Sequence, residues 1–140
     1  MYLLDTNIVS ELRKHERANP GVLRFFSELE ERESPAFISV ITLGELRRGV
    51  ELIRHRGDEP QAGRLDQWLQ TLVAEYSDQI LDFGKDEAEI WGCLRVPHPE
   101  NALDKQIAAT ALIYDLTLVT RNVRDFADSG VALFNPFEEP

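Results

Sequence analysis

Four acidic residues stand where the chain changes character. Asp5 ends the apolar run Met1-Tyr2-Leu3-Leu4. Glu45 follows the apolar, β-branched stretch at 36–40. Asp104 opens an alanine-rich segment, and Asp125 closes Thr120-Arg121-Asn122-Val123-Arg124. Carboxylates held together repel, and without a counter-charge some of them bind protons more tightly. A hard divalent cation such as Mg2+ or Mn2+ removes that penalty, because it prefers oxygen ligands and keeps several waters. In that setting the ion orients and activates water and offsets charge on a phosphate, so an all-acid set suits phosphodiester hydrolysis. Each acid also has an ordinary explanation. Asp5 can end a strand and cap a helix. Glu45 can pair with Arg48 one turn on. Asp104 can favour the positive end of a helix dipole, and Asp125 can make an Asx-turn. What those readings leave unexplained is why all four map to one edge of the fold.

That edge follows from the elements. Residues 1–4 read as a short strand inside a sheet, followed by a helix over 8–13 capped by Thr6 or Asn7. Residues 15–19 are a polar loop, and Pro20 suits the first position of the next helix, with Val22, Phe25, Phe26 and Leu29 at helical spacing. A second strand spans 36–40. A longer helix from about Thr42 carries Glu45 in its first turn and Leu43, Leu46, Val50 and Ile53 along its buried stripe. Leu65, Trp68, Leu69, Leu72, Val73 and Tyr76 mark another amphipathic helix, pairing with it as a hairpin; Trp68 and Tyr76 read as packing residues. Strands at 80–83, 116–120 and 131–134 alternate with helices at 85–95 and from about Leu103. This alternation predicts an α/β protein: a three-layer α/β/α sandwich on a central parallel sheet of about five strands, in one domain spanning 1–140. Ligands of such sheets bind beyond the carboxyl ends of the strands. Asp5 lies there, and helices entering or leaving that edge bring Glu45, Asp104 and Asp125.

Composition narrows the function classes. With 140 residues, 43% hydrophobic and 29% charged, the chain suits a folded globular protein. No apolar run approaches membrane-spanning length and no signal-peptide layout opens the chain, so the cytoplasm is the expected location. The single cysteine, Cys93, excludes an internal disulfide and reads as core filler beside Ile90, Trp91 and Leu94. A net charge of −10 argues against broad nucleic-acid affinity, yet a cation can invert the charge of an acidic pocket. Basic residues cluster at Arg13, Lys14, Arg17 and Arg24, then at Arg47, Arg48, Arg54 and Arg56. They read either as solvated helix faces or as flanks of a substrate groove.

The segments Leu-Leu-Asp5-Thr-Asn, Ile-Thr-Leu-Gly-Glu45-Leu-Arg-Arg-Gly, Leu-Asp104-Lys-Gln-Ile-Ala-Ala-Thr-Ala and Leu-Val-Thr-Arg-Asn122-Val-Arg-Asp125-Phe resemble PIN-domain nucleases, most of all the VapC toxins of toxin–antitoxin pairs. The resemblance covers nearly the whole chain in order. It implies an Mg2+- or Mn2+-dependent endoribonuclease leaving a 5′-phosphate, a homodimer, and neutralisation by a small antitoxin that lays a peptide over the site. Carried over by position, Asp5, Glu45 and Asp104 are the main metal-binding triad and Asp125 the fourth acid. Thr6, Thr120 and Asn122 are supporting or water-binding residues. Some PIN nucleases carry an acid nearer the position of Asn122, so one-ion and two-ion sites both remain open. Arg13, Arg47 or Arg48 would hold the RNA backbone.

Other chemistry finds little support. His15, His55 and His98 are scattered, and neither a Gly-x-Ser-x-Gly turn nor a Gly-rich phosphate loop is present. A receiver-like signalling domain would need a paired acid near the first strand and a phosphoacceptor Asp after the third. The remaining rival is a catalytically inactive family member that acts by binding protein. The nuclease reading requires Asp5, Glu45 and Asp104 to meet in space.

Overall fold

The computed structural model describes residues 1–138. Its centre is the first strand, β1 (Tyr2–Leu4), which pairs in parallel with β2 (Ala36–Ser39) on one side and β4 (Thr117–Val119) on the other. β3 (Ile80–Leu81) and β5 (Leu133–Phe134) complete the sheet in the order β3-β2-β1-β4-β5, with every pair parallel. All five carboxyl ends therefore point to the same edge.

Alternation along the strands builds the two outer layers. Leu4, Ile38 and Val119 join a core with Phe25 and Leu29 of α2 (Pro20–Arg32), Val50 of α3 (Val40–His55), and Leu69 and Leu72 of α4 (Glu59–Glu75). Leu3 and Leu118 face the other way, against Ile107, Ala108 and Ala111 of α6 (Ala102–Tyr114) and against Phe126. The buried alanines of α6 let that helix lie close to the sheet. α5 (Lys85–Leu94) packs on α6, and the Trp91 indole N–H donates to the Ala102 carbonyl at 2.9 Å. The result is the three-layer arrangement read from the alternation of elements.

Local chemistry sets the helix starts. Asn19 Oδ1 accepts from the Gly21 and Val22 amides at 2.8 and 3.3 Å, with Pro20 in the first turn of α2. Ser39 Oγ accepts from the Ile41 amide at 3.0 Å. That cap starts α3 at Val40, earlier than the apolar stripe suggests, and moves Glu45 from the first turn to the second. α1 (Thr6–Leu12) is capped by Asp5 rather than by Thr6 or Asn7, because Asp5 Oδ1 accepts from the next amide at 2.8 Å. α3 and α4 form the expected hairpin, tied by Arg47–Asp66 at 3.0 Å and Arg54–Asp66 at 3.3 Å. Trp68 and Tyr76 pack against the core, as their spacing implies. Cys93 differs: it is exposed, as is Ala88. The inward face of α5 runs through Glu87, Trp91 and Leu94, and Cys93 lies off that stripe. No described helix is long and apolar enough to cross a membrane.

Leu118 is fully buried in a strand beside β1. Leu118→Ala should destabilise the protein by about 2–5 kcal/mol, whereas Leu112→Ala, at a position 37% exposed on α6, should change stability by less than about 1 kcal/mol. Urea unfolding of the two variants tests whether the sheet centre carries the core.

Candidate active site

Asp5 is only 4% exposed. A buried carboxylate costs free energy unless hydrogen bonds replace its water. Three do so here. The Thr6 amide donates to Oδ1 at 2.8 Å, and Oδ2 receives the Thr120 hydroxyl at 2.7 Å and the Asn7 amide at 3.3 Å. Thr120, fully buried just past β4, is held in turn by the Asn122 amide, which donates to its Oγ1 at 3.0 Å. Asn7 accepts from the Arg121 amide at 3.1 Å. The ends of β1 and β4 are thus stitched together side chain by side chain, and the Asp5 amide bonds the Val119 carbonyl at 2.9 Å.

Glu45 reaches the same edge from α3. Its Oε1 accepts the Thr6 hydroxyl at 2.8 Å, while Thr42, fully buried one turn earlier, places its own hydroxyl 3.3 Å from that of Thr6. The half-buried Glu45 therefore leans on Thr6 and makes no ion pair with Arg48 among the described residues. Asp104 sits in the first turn of α6. Asp125 lies exposed in the 3-10 turn Val123–Phe126 after β4.

Electrostatics shows that these acids are neighbours. Burial and then the charges of Asp5, Asp125 and Glu45 push the Asp104 carboxyl up to about 6. Burial raises Asp5 as well, against the hydrogen bonds from Thr120, Thr6 and Asn7, with Asp125 adding repulsion. Glu45 is raised by burial and by Asp5, against Thr6. Among the described residues no three acids, histidines or cysteines are drawn together tightly enough to hold an ion as they stand. Asp104 lies within electrostatic reach of the other three carboxylates, and Asp5 within reach of Asp125 and Glu45. The donor set is all oxygen, anionic and supported by hydroxyls, which fits a hard divalent cation rather than zinc.

Thr6 and Thr120, which the resemblance marks as supporting or water-binding residues, hydrogen-bond the carboxylates of Glu45 and Asp5. Asn122 contributes through its main-chain amide. Asn7 and Thr42 went unassigned. Asn7 reads as a helix cap from its place after Asp5-Thr6, and its bridging role depends on Thr120 and Arg121, far away in sequence. Of the three arginines considered as backbone clamps, Arg47 is occupied by Glu51 at 3.3 Å and Asp66 at 3.0 Å, whereas Arg13 and Arg48 make no ion pair among the described residues.

The raised acids give a signed pH effect. Each binds its proton more tightly folded than unfolded, so the stability it contributes is complete at low pH and is lost as pH rises through the folded pKa. For Asp104 that loss spans about pH 4 to 6. In chelator, Asp104→Asn should melt at a higher temperature than the wild type near pH 7.5, with the gap closing toward about pH 4. Thermal melts across that range test it; a gap independent of pH would show that Asp104 feels no such repulsion.

The comparisons with known proteins fit this geometry. The PIN domain model matches residues 2–130. The toxin FitB of Neisseria gonorrhoeae is 33% identical, over 99% of this chain and 100% of its own. The ribonuclease VapC2 of Rickettsia felis is 32% identical, over 90% of each chain. The crystal structure of FitAcB from Neisseria gonorrhoeae superposes with a TM-score of 0.82 at 32% identity, covering 99% of this chain and 100% of that one. With acids at the carboxyl edge of a parallel sheet and a family match over almost its whole length, the chain belongs to the PIN-domain family, among its VapC-type toxins.

Proposed function

We propose that the protein is a metal-dependent endoribonuclease acting as the toxin of a toxin–antitoxin pair. The observation that carries this reading is the convergence of acids on one sheet edge: Thr6 links Asp5 at the end of β1 to Glu45 of α3, Thr120 ties Asp5 to β4, and Asp104 on α6 feels the repelling charges of Asp5, Asp125 and Glu45. A family member retained only for protein binding has no need to keep four unneutralised acids together against that penalty.

Asp5, Glu45 and Asp104 would hold a divalent cation, Mg2+ or Mn2+, with Asp125 at the margin. When bound, such an ion orients and activates water against a phosphodiester and offsets the charge that develops on phosphate. The chain's own residues prepare for this. Thr120 and Asn7 fix the plane of the Asp5 carboxylate, and the Thr6 amide and hydroxyl orient Asp5 and Glu45 together. Asp5 Oδ1 and Glu45 Oε1 each accept a single hydrogen bond, so a lone pair on each stays available for the ion. Ordering by neighbours of this kind keeps ligands aimed before substrate arrives. Asp125, exposed and adjacent, extends the acidic edge toward solvent where a strand of RNA lies.

The class also pairs with a small cognate antitoxin, works in the cytoplasm and forms a homodimer; these belong to the same proposal. The acidic pocket suits an arginine-bearing antitoxin segment, since guanidinium–carboxylate pairs form strong charge-assisted hydrogen bonds.

Asp5→Ala should lower RNA cleavage by more than about 100-fold, the loss of several kcal/mol of transition-state stabilisation, and chelator should abolish it until Mg2+ or Mn2+ is restored. Thr120→Ala, which leaves every carboxylate in place, should cost about 10- to 100-fold. Cleavage of an RNA panel that survives both Asp5→Ala and chelator would contradict the mechanism. Cation binding by the wild type without any cleavage would favour the protein-binding rival.

A further inference from the structure

A second feature beside the acids carries charge of the opposite sign. A cleft of about 420 Å³ lies between the loop after α1 and the first half of α4, walled by Arg13, Lys14, Arg17, Arg64 and Trp68. A smaller cleft of about 130 Å³ adjoins it and is walled by Thr6, Glu45, Leu46 and Val50. Arg13, Leu65 and Trp68 line both. The two form one trough, running from the Thr6–Glu45 contact to a basic end.

The basic end is built. Glu11, buried in α1, accepts from the Asn19 amide at 2.8 Å and pairs with Lys14 at 2.8 Å. Asn19 also caps α2. His15 takes a positive φ of 52°, turning the chain sharply between Arg13 and Arg17. The loop is thus pinned at both ends by one carboxylate and one asparagine. Arg13, Arg17 and Arg64 are exposed and make no ion pair among the described residues, in contrast to Arg47 and Arg54, which acids of the α3–α4 hairpin occupy. On a chain of net charge −10, Arg13 and Arg17 on a pinned loop, facing Arg64 of α4 across a cleft that leads to the acidic site, point to a polyanion.

We propose that this trough is the path of a single-stranded RNA. Arg17 and Arg64 hold phosphates on one flank of the cut, Arg13 carries the strand to the acids, and the Trp68–Leu65 wall takes a base. The inference rests on the ribonuclease reading and adds where the strand lies. The groove offers what single-strand sites use, a positively charged track with an aromatic wall. Its cations also supply the attraction that the acidic surface elsewhere lacks.

The test uses a labelled 12-nucleotide single-stranded RNA, with fluorescence anisotropy in chelator to keep it intact, and cleavage kinetics with Mg2+. Arg17→Gln/Arg64→Gln should weaken Kd roughly tenfold near 0.1 M salt and flatten the slope of log Kd against log salt by about 1.4, near 0.7 for each lost phosphate contact. KM should rise in parallel. Arg17→Lys/Arg64→Lys should restore most of the affinity, and Arg32→Gln/Lys85→Gln, with the same change in net charge elsewhere on the surface, should bind as the wild type. Circular dichroism confirms that each variant is folded. Unchanged Kd and salt slope in Arg17→Gln/Arg64→Gln, with cleavage intact, would overturn the trough and leave the nuclease reading standing. Wild-type binding with the expected sensitivity but no cleavage under either cation would uphold the trough and remove the nuclease. A ten-residue polyglutamate peptide that binds with this sensitivity, where the RNA does not, would overturn the proposal in favour of an acidic protein partner.

Discussion

The constraint on which the site depends is the burial of one carboxylate. Asp5 has almost no water to solvate it, so the chain must solvate it instead. Two of the three donors belong to its own neighbours, and the third comes from a residue 115 positions away. That last donor exists only when β4 lies beside β1. The acid that would bind an ion is therefore also a reporter of correct sheet assembly. The same side chain caps α1, so a strand end, a helix start and the proposed ligand position coincide in a single residue. The capping role of Asp5 is observed, and it is compatible with the ligand role proposed for the same side chain.

Much of the fold was legible in the sequence, because alternation of strand and helix leaves few options. Short apolar runs separated by amphipathic segments demand a parallel sheet covered on both faces. The core positions Leu3, Leu4, Leu118 and Val119 follow from that. Boundaries were less legible where a cap competes with an apolar stripe: Ser39 starts α3 before its hydrophobic residues announce it, and Asp5 takes the capping role that Thr6 and Asn7 are equally suited to fill. Cys93 was misplaced because apolar neighbours in sequence say nothing about helical phase. Of the site, the acids were legible through their place after strands and at helix starts. The links of Asn7 to Thr120 and Thr42 to Thr6 were not, since they join residues whose proximity exists only after folding. Nor was the fate of Arg47, which depends on an acid in the next helix.

The distribution of charge divides the molecule by task. Around the α3–α4 hairpin, arginines and acids neutralise each other across exposed surface, where each pair contributes little to stability. At the sheet edge, acids face acids and are kept from partners. On the loop after α1, Lys14 pairs with buried Glu11, which Lys14 and the Asn19 amide hold low despite its burial, while Arg13 and Arg17 make no ion pair among the described residues. The trough thus joins Glu45 at one end to Arg13, Arg17 and Arg64 at the other, beside a hairpin held by ion pairs.

The central position of β1 also bears on how such a protein is made. This strand has neighbours on both sides, and Tyr2 of β1 lies opposite Thr117 of β4, distant in sequence. Long-range parallel pairing of that kind forms slowly, because loop closure must precede the contacts that reward it. During translation β1 must wait, unpaired on one flank, until the region around Thr117 has emerged. The carboxylate edge is therefore complete only once Thr120 has come to lie beside Asp5.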